Sequence, residues 1–155
     1  MVKKLVLLFC LFIFLVGCRN NQVFSDYQSV EKTGWHKKKK LVFVYQNGKE
    51  DQTVDIYLGF RHNENYPYSN LNLRSEVSQN GKILTQETLV DIPLAEPDGT
   101  WIGKGMGRIK EIKVPFKQKV ELKSNGKYIF ALWQAMRTDT LKGVEDMSLM
   151  IEKSK

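Results

Sequence analysis

The sequence predicts an all-β domain: an antiparallel β-sandwich of about eight strands with immunoglobulin-like or jelly-roll topology. Three observations predict it. Apolar and polar residues alternate in several short segments, as they do in strands with one buried face. Three Asn-Gly pairs, a strong signal for tight turns, each lie between two such segments. After Gly17 no segment shows a sustained helical period of apolar residues, so no long helix is expected.

The β-like segments follow one another from residue 41 to the C-terminus. Residues 41–45 are all apolar, which favours a strand covered on both faces. Pro115 lies within another segment and indicates an edge strand or a strand end. The remaining segments and the turns between them are 54–61, 71–77, 112–116, 128–135 and 147–151, with Asn47-Gly48, Asn80-Gly81 and Asn125-Gly126.

The first residues have the pattern of a lipoprotein signal peptide. A basic n-region (Lys3, Lys4) precedes an uninterrupted apolar run of twelve residues at 5–16. Such a run suits an h-region and is shorter than the roughly 20 residues that cross a bilayer, which disfavours a short transmembrane anchor. It ends in Leu15-Val16-Gly17-Cys18, which resembles a lipobox. We therefore expect cleavage before Cys18 and its lipidation, with several acyl chains giving stable anchoring.

These signals divide the chain into a signal peptide (1–17), a lipidated N-terminus with a tether (18–34) and a β-sandwich domain (35–155). The tether is polar with scattered apolar residues, and a first strand or a short helical turn could lie within it. Fully extended, it would span roughly 50 Å and hold the domain clear of a membrane. Cys10 is lost with the signal peptide, which leaves Cys18 alone and excludes disulfides and cysteine metal sites.

The chain is basic. Its formal net charge of +7 falls to +5 when Lys3 and Lys4 leave with the signal peptide. In an exported protein this charge does not indicate nucleic acid as a partner. The densest basic run is Lys37-Lys38-Lys39-Lys40. It is either the solvated start of a strand, which discourages edge pairing, or a contact for anionic lipid or lipopolysaccharide head groups.

The search for catalytic or metal-binding motifs finds none. The two histidines, His36 and His62, lie in no hydrolase or metalloprotease motif. The glycine-rich segment 103–107 precedes a β-like segment rather than a helix. That order favours a bulged or tightly turning loop close to Trp101 over a phosphate cradle. We therefore predict no enzymatic activity, no catalytic residue, no cofactor and no metal.

Two clusters of aromatic and polar residues remain. The loop at 63–70 contains two tyrosines and three asparagines, and the segment 133–137 ends a strand with a guanidinium. Such residues could bind a carbohydrate or a protein, or the aromatic rings could fill the end of the sandwich while the amides cap turns. The strands that lead into both segments run in the same direction. We therefore expect the loop, Trp101 with its glycine segment, and Arg137 at one end of the sandwich.

The same segments carry a family resemblance. They are, in order, Gly59-Phe60-Arg61-His62, Tyr66-Pro67-Tyr68-Ser69-Asn70-Leu71, Glu87-Thr88-Leu89, Leu94-Ala95, Gly99-Thr100-Trp101-Ile102-Gly103-Lys104-Gly105, Gln134-Ala135-Met136-Arg137, Leu141 and Gly143-Val144-Glu145-Asp146. This succession resembles the GldH family of gliding-motility lipoproteins of Bacteroidota over nearly the whole mature chain. Two positions depart from the family pattern: Glu87 replaces an expected aspartate, and Met147-Ser148 replace a small residue and glycine.

The resemblance implies a lipid-anchored envelope protein that acts by protein-protein interaction. Its expected role is an accessory or scaffolding one in gliding motility and the associated type IX secretion machinery. A periplasmic glycan-binding module, suggested by Tyr66, Tyr68, Trp101 and Trp133, is the alternative. The candidate recognition surface consists of Arg61, Tyr66, Tyr68, Asn70, Trp101, Lys104, Gln134 and Arg137.

Two further expectations concern location and modification. Residues 19–22 contain no acid, which in related bacteria favours a lipoprotein that faces the periplasm rather than the cell surface. We therefore expect attachment to the periplasmic face of the outer membrane. Asp139-Thr140-Leu141 matches an Asp-Thr-aliphatic pattern of O-glycosylation in this phylum, which makes Thr140 a candidate in a loop after Arg137. The expected partners are the membrane, through the lipid anchor, and envelope proteins, but not nucleic acid.

Overall fold

The computed structural model describes residues 21–105 and 107–155. Ten strands and no helix lie within these ranges, so no helix there is long and apolar enough to cross a membrane. The predicted signal peptide and Cys18 lie outside the described residues. The strands are β1 (Gln22–Ser29), β2 (Trp35–His36), β3 (Leu41–Gln46), β4 (Gln52–Asn63), β5 (Asn70–Gln79), β6 (Lys82–Pro93), β7 (Ile109–Leu122), β8 (Lys127–Gln134), β9 (Thr140–Leu141) and β10 (Val144–Lys153).

Eight of these strands form two four-stranded antiparallel sheets. Sheet I has the order β1-β10-β4-β7 and sheet II the order β3-β8-β5-β6, while the short β2 and β9 pair separately. The first long strand pairs with the last, and only the β5–β6 connection stays within one sheet. This order is that of a jelly roll. The predicted all-β sandwich is confirmed, and β7 is an edge strand, as Pro115 predicts.

The core lies between the inner faces of the two sheets. The alternation predicted for β4 is confirmed, because Val54, Ile56 and Leu58 point inward and are at most 1% exposed. Strand β3 differs from its prediction. Val42 and Val44 are 42% and 47% exposed, so the expectation of a strand covered on both faces is wrong. β3 is the edge strand of sheet II, and only its inner face meets the core.

Strand β1 lies within the range that the sequence assigned to the tether. It pairs with β10 at the edge of sheet I, and the ring of Phe24 packs edge-on against Tyr45 with centroids 5.3 Å apart. The sandwich therefore begins at Gln22 rather than at residue 35. The expectation of a tether of about 50 Å is corrected accordingly, because only three residues separate Cys18 from Gln22. As an edge strand with one half-buried face, β1 needs only scattered apolar residues.

The three Asn-Gly pairs all lie in connections between strands, but only one forms a hairpin. Asn80-Gly81 joins β5 to β6 with φ angles of 49° and 82°, as in a type I′ turn. Asn47-Gly48 and Asn125-Gly126 instead connect strands of different sheets. Asn47 is buried, and its Nδ2 donates to the carbonyl oxygens of Glu50, Leu122 and Lys123 at 2.9–3.1 Å. These hydrogen bonds fix the two connections to each other.

The antiparallel pairing gives the sandwich two ends. The near pole contains the start of β1, the end of β10 and the connections 47–51, 80–81 and 123–126. The far pole contains the connections 30–40, 64–69, 94–108 and 135–143. Strands β4 and β8 both run from the near pole to the far pole. The loop after β4, the connection containing Trp101, and Arg137 therefore lie at the same end, as the sequence predicts.

Candidate recognition surface at the far pole

A cluster of aromatic rings supports the far pole. His62, near the end of β4, is 2% exposed, and its ring centroid lies 4.5 Å from that of Trp101 and 5.1 Å from that of Tyr66. Tyr68 packs edge-on against Tyr66 with centroids 6.1 Å apart. The Tyr66 hydroxyl donates to the carbonyl oxygen of Asn70 at 2.8 Å. These contacts join the 64–69 loop to the 94–108 connection.

Burial keeps the side chains of His62 and Tyr66 uncharged. Burial lowers the pKa of His62, and the positive charge of Lys110 adds to this effect, while the contact of Nδ1 with the carbonyl oxygen of Asn63 opposes it. Burial likewise raises the pKa of Tyr66. The imidazole and the phenol are therefore neutral near pH 7 and act as packed rings.

Two of the eight predicted recognition residues are buried. Tyr66 is 3% exposed and Gln134 is 1% exposed, so neither presents a side chain to a partner. The Gln134 Nε2 donates to the carbonyl oxygen of Thr138 at 3.0 Å, and its Oε1 accepts the N–H of Met136 at 2.8 Å. Gln134 thus holds the turn after β8, in agreement with the interpretation that the amides cap turns.

Arg61 is held in an ion pair on the outer face of sheet I. Its Nε donates to both carboxylate oxygens of Asp146, at 3.0 and 2.8 Å, and its Nη2 donates to the second of them. The hydrogen bonds from Arg61 raise its own pKa. Asp146 is 5% exposed and follows a bulge in the β10–β4 pairing, which aligns it with Arg61. The role of Arg61 that the structure supports is to compensate this buried carboxylate.

The other five predicted residues are exposed or half-buried at the far pole: Tyr68, Asn70, Trp101, Lys104 and Arg137. They come from three segments that are distant in the sequence. Backbone hydrogen bonds bring these segments together. Leu94 donates to the carbonyl oxygen of Ser69, and Ala135 donates to that of Asn72 at the start of β5, both at 2.8 Å.

Two open clefts flank these five residues. One, of about 860 Å³, lies between the β1–β2 connection and the β9–β10 turn, with Lys32, Lys142 and Glu145 in its wall. The other, of about 750 Å³, lies between β7 and the glycine segment, with Lys104 beside Ile102. A mixed charged cleft and a mainly apolar cleft can accept side chains of a protein partner.

The glycine segment lies against β7, and Gly107 and Trp101 line the same small cavity. Lys104 and Glu111 exchange backbone hydrogen bonds of 2.8 and 2.7 Å. A Cβ on Gly103 would lie 2.9 Å from the carbonyl oxygen of Glu111, so the close approach requires glycine here. The predicted tightly turning loop is confirmed, with β7 as its close neighbour. Because a strand follows it, the segment has no helix N-terminus at which to hold a phosphate.

The four aromatic residues that suggested glycan binding do not share one surface. Tyr66 is buried, whereas Trp133 lies on the outer face of sheet II under the Lys40 ammonium, 4.3 Å from the ring centroid. Only Tyr68 and Trp101 remain partly accessible at the far pole. These four residues therefore do not form a common platform of exposed aromatic side chains on which a sugar ring could stack.

The lysine run before β3 is held by local contacts. Lys37 forms an ion pair with Asp139, and Lys39 pairs with Glu31 at 2.7 Å. The hydrogen bond from the partner lysine lowers the pKa of each of these two carboxyls. The run lies at the far pole, away from the start of β1, and these contacts favour its interpretation as the solvated start of a strand.

Two other predicted features can be placed. Thr140 lies in β9, paired with His36, and is half-buried, so the expectation of a loop at this position is wrong. Among the described residues, no group of three or more His, Cys, Asp or Glu side chains could hold a metal ion.

Two residues that hold the site together, His62 and Asp146, are absent from the predicted recognition surface. For His62 a signal exists, because the period-2 alternation of β4 continues inward from Phe60 to this position. For Asp146 the two-residue alternation of β10 gives no signal, because its burial depends on the bulge in the β10–β4 pairing and on Arg61 of the neighbouring strand.

The fold and this surface define a class of protein: a jelly-roll domain with aromatic and charged residues gathered at one pole. Residues 22–151 match the family model described as GldH lipoprotein. The chain therefore belongs to the GldH lipoprotein family, a family of gliding-motility lipoproteins. Membership implies a lipid-anchored protein of the cell envelope.

Two relatives cover nearly the whole chain. A gliding motility lipoprotein GldH homolog of Christiangramia forsetii is 32% identical over 156 residues, covering 93% of this chain and 94% of that protein. The gliding motility lipoprotein GldH of Flavobacterium johnsoniae is 31% identical over 159 residues, covering 98% of both chains.

A solved structure of a family 35 carbohydrate-binding module from Clostridium thermocellum is also similar. It is 12% identical, with a TM-score of 0.39, covering 83% of this chain and 88% of that chain. Similarity at this level carries no argument about what this chain binds.

Proposed function

We propose that this protein is an accessory or scaffolding subunit of the gliding and type IX secretion-associated machinery and has no enzymatic activity. It is exported, lipidated at Cys18 and anchored to the periplasmic face of the outer membrane. Its far pole binds an envelope protein. Family membership and the acid-free segment 19–22 support this placement.

The observation that carries the proposal is the convergence of exposed and half-buried residues at the far pole. Tyr68, Trp101 and Arg137 arrive from three connections, and tyrosine, tryptophan and arginine dominate the energetics of protein interfaces. The buried rings of His62 and Tyr66 pack against Trp101 and Tyr68, respectively. A rigid support of this kind lowers the entropy cost of binding.

The test compares two far-pole variants with a matched control. Tyr68→Ala and Arg137→Ala should abolish complementation of a deletion strain and lose the envelope partner in a crosslinking pull-down. Each should keep the melting temperature within about 10 °C, because neither side chain is fully buried. Tyr27→Ala is the control, since Tyr27 is 66% exposed on the outer face of sheet I. It should complement normally.

A folded and fully functional Tyr68→Ala/Arg137→Ala double variant would reject the recognition surface. Protection of tryptophan fluorescence by an envelope glycan, without a protein partner in the pull-down, would instead favour the glycan-binding alternative.

Anchoring is tested separately. Cys18→Ser should block lipidation and leave uncleaved precursor in the membrane fraction. Digestion of intact cells with an external protease tests the orientation. The domain should survive, and ready cleavage would place it on the cell surface.

A further inference from the structure

The near pole carries a set of lysines in addition to the run at residues 37–40. Six lysines lie on its connections, strand ends and last residues, with four acidic side chains, of which Glu152 pairs with Lys113: Lys49, Lys82, Lys123, Lys127, Lys153 and Lys155, against Glu50, Asp51, Glu121 and Glu152. All six are exposed. They come from four separate segments, so the fold rather than the sequence brings them together.

The acidic residues leave most of these lysines uncompensated. Asp51 and Glu121 both pair with Lys123, at 3.0 and 2.6 Å. Within residues 21–105 and 107–155, the other five near-pole lysines form no ion pair. The near pole therefore presents free ammonium groups.

The hairpin at the near pole also exposes apolar side chains. Ile83 and Leu84, directly after Lys82, are 50% and 52% exposed. Exposed aliphatic residues next to lysines are typical of protein surfaces that bind at the interface between lipid head groups and acyl chains.

The length of chain before β1 determines which pole faces the membrane. Gln22 is the fourth residue after Cys18, and four extended residues span at most roughly 14 Å. The backbone is already tied to the sandwich at Asn21, whose carbonyl oxygen accepts the N–H of Lys153 at 2.8 Å. The eight residues of β1 then extend about 26 Å away from this point. A chain anchored at Cys18 thus holds its near pole at the bilayer.

We propose that the near pole docks directly on the surface of a bilayer rich in anionic phospholipid, with its five free lysines against the head groups. This inference rests on the proposed lipidation of Cys18. Charge alone does not select the near pole, because the far pole carries Lys37–Lys40. The short chain between Cys18 and β1 selects it, because this chain holds the near pole at the bilayer. Docking in this way points the far pole away from the membrane, towards its partner.

The experiment uses the lipidated protein reconstituted in vesicles. After lipidation of Cys18 the mature chain has no free thiol, so Ser124→Cys at the near pole and Ser69→Cys at the far pole can each carry one fluorophore. The vesicles contain a head-group nitroxide quencher and either phosphatidylglycerol with phosphatidylcholine or phosphatidylcholine alone. We expect strong quenching at position 124 in anionic vesicles and little at position 69. Neutral lipid, or about 0.5 M NaCl, should reduce the quenching at position 124 about twofold or more.

Charge reversal supplies a matched pair of variants. Lys49→Glu/Lys127→Glu/Lys153→Glu should lower quenching at position 124 as far as neutral lipid does. The control variant Lys32→Glu/Lys38→Glu/Lys142→Glu makes the same change in net charge with far-pole lysines and should leave that quenching unchanged. Circular dichroism checks that both variants are folded.

The outcomes separate the inference from the proposed anchoring. The protein could float with vesicles while quenching at position 124 changes neither with lipid charge nor in the Lys49→Glu/Lys127→Glu/Lys153→Glu variant. In that case the docking inference is overturned and the anchoring stands. Equal quenching at positions 69 and 124 would also overturn it, because the domain would then lie flat. A chain that fails to float with vesicles overturns both.

Discussion

Two tyrosines of one loop should respond very differently to the same substitution. Tyr66 is 3% exposed and packs against the rings of Phe60 and His62, whereas Tyr68 is half-buried and touches the same cluster from outside. Truncation of a buried aromatic residue to alanine costs about 3–5 kcal/mol. We therefore expect Tyr66→Ala to lose that much stability and Tyr68→Ala to lose at most about 2 kcal/mol.

A milder change isolates the hydroxyl group of Tyr66. Tyr66→Phe removes only the 2.8 Å hydrogen bond to the carbonyl oxygen of Asn70 and leaves that oxygen with one partner fewer. The expected cost is about 1–2 kcal/mol, and the ring contacts should persist.

The assay is urea unfolding of the chain from residue 19, followed by circular dichroism and tryptophan fluorescence. A loss of about 3–5 kcal/mol from a total of about 5–15 kcal/mol is readily measured, and it should lower the melting temperature by about 10–20 °C. The reasoning is refuted if Tyr66→Ala lies within about 1 kcal/mol of the wild type. It is equally refuted if Tyr68→Ala costs as much as Tyr66→Ala.

Three other substitutions test the far pole. Gly143→Ala should destabilise strongly, since Gly143 has φ 76° and a Cβ there would lie 2.6 Å from the backbone of residues 65 and 66. Gly81→Ala is its matched control, with φ 82° and nothing within 4 Å, and should cost only about 1–2 kcal/mol in thermal melts. His62 has a folded-state pKa below its unfolded value of about 6.5, so the unfolded chain binds more protons and stability should fall as the pH drops below about 6.5. Melts from pH 8 to pH 5 should show this loss in the wild type, and His62→Phe should remove that part of it. Arg61→Met should cost about 2–4 kcal/mol in urea unfolding because it leaves Asp146 buried without its partner, and an unchanged midpoint would contradict the structural role of the ion pair.

The sequence predicts the strands best where one face is continuously buried. In β4, β5 and β10 the alternation of apolar and polar residues matches the observed inner faces. The match is close because a shift of the strand register by one residue would turn every apolar side chain to solvent. The pole assignment follows from the same elements, since strand direction places each connection at one end. Pro115 likewise predicts the edge position of β7.

Edge strands are where sequence reasoning fails. β1 has few apolar residues because only one side of it meets the core, and β3 keeps apolar residues on both faces although one face is open. The alternation of apolar and polar residues also does not determine the strand order, because the immunoglobulin-like and jelly-roll topologies pair the same alternating strands differently.

Burial within the far-pole loop is likewise absent from the sequence pattern. Tyr66 and Tyr68 have the same side chain two positions apart, and the rings of Phe60 and His62 pack against Tyr66 alone. The near-pole lysines show the same limit, because they come from four segments that only the folded chain brings together.

Site-specific photocrosslinking in intact host cells tests the central claim most directly. A photoreactive amino acid replaces Tyr68 at the far pole, Tyr27 on the outer face of sheet I, or Ser124 at the near pole. We predict a discrete adduct with one envelope protein from position 68 and none with that protein from positions 27 and 124. Absence of any adduct from position 68, or the same adduct from all three positions, would contradict the assignment of the far pole as the recognition surface.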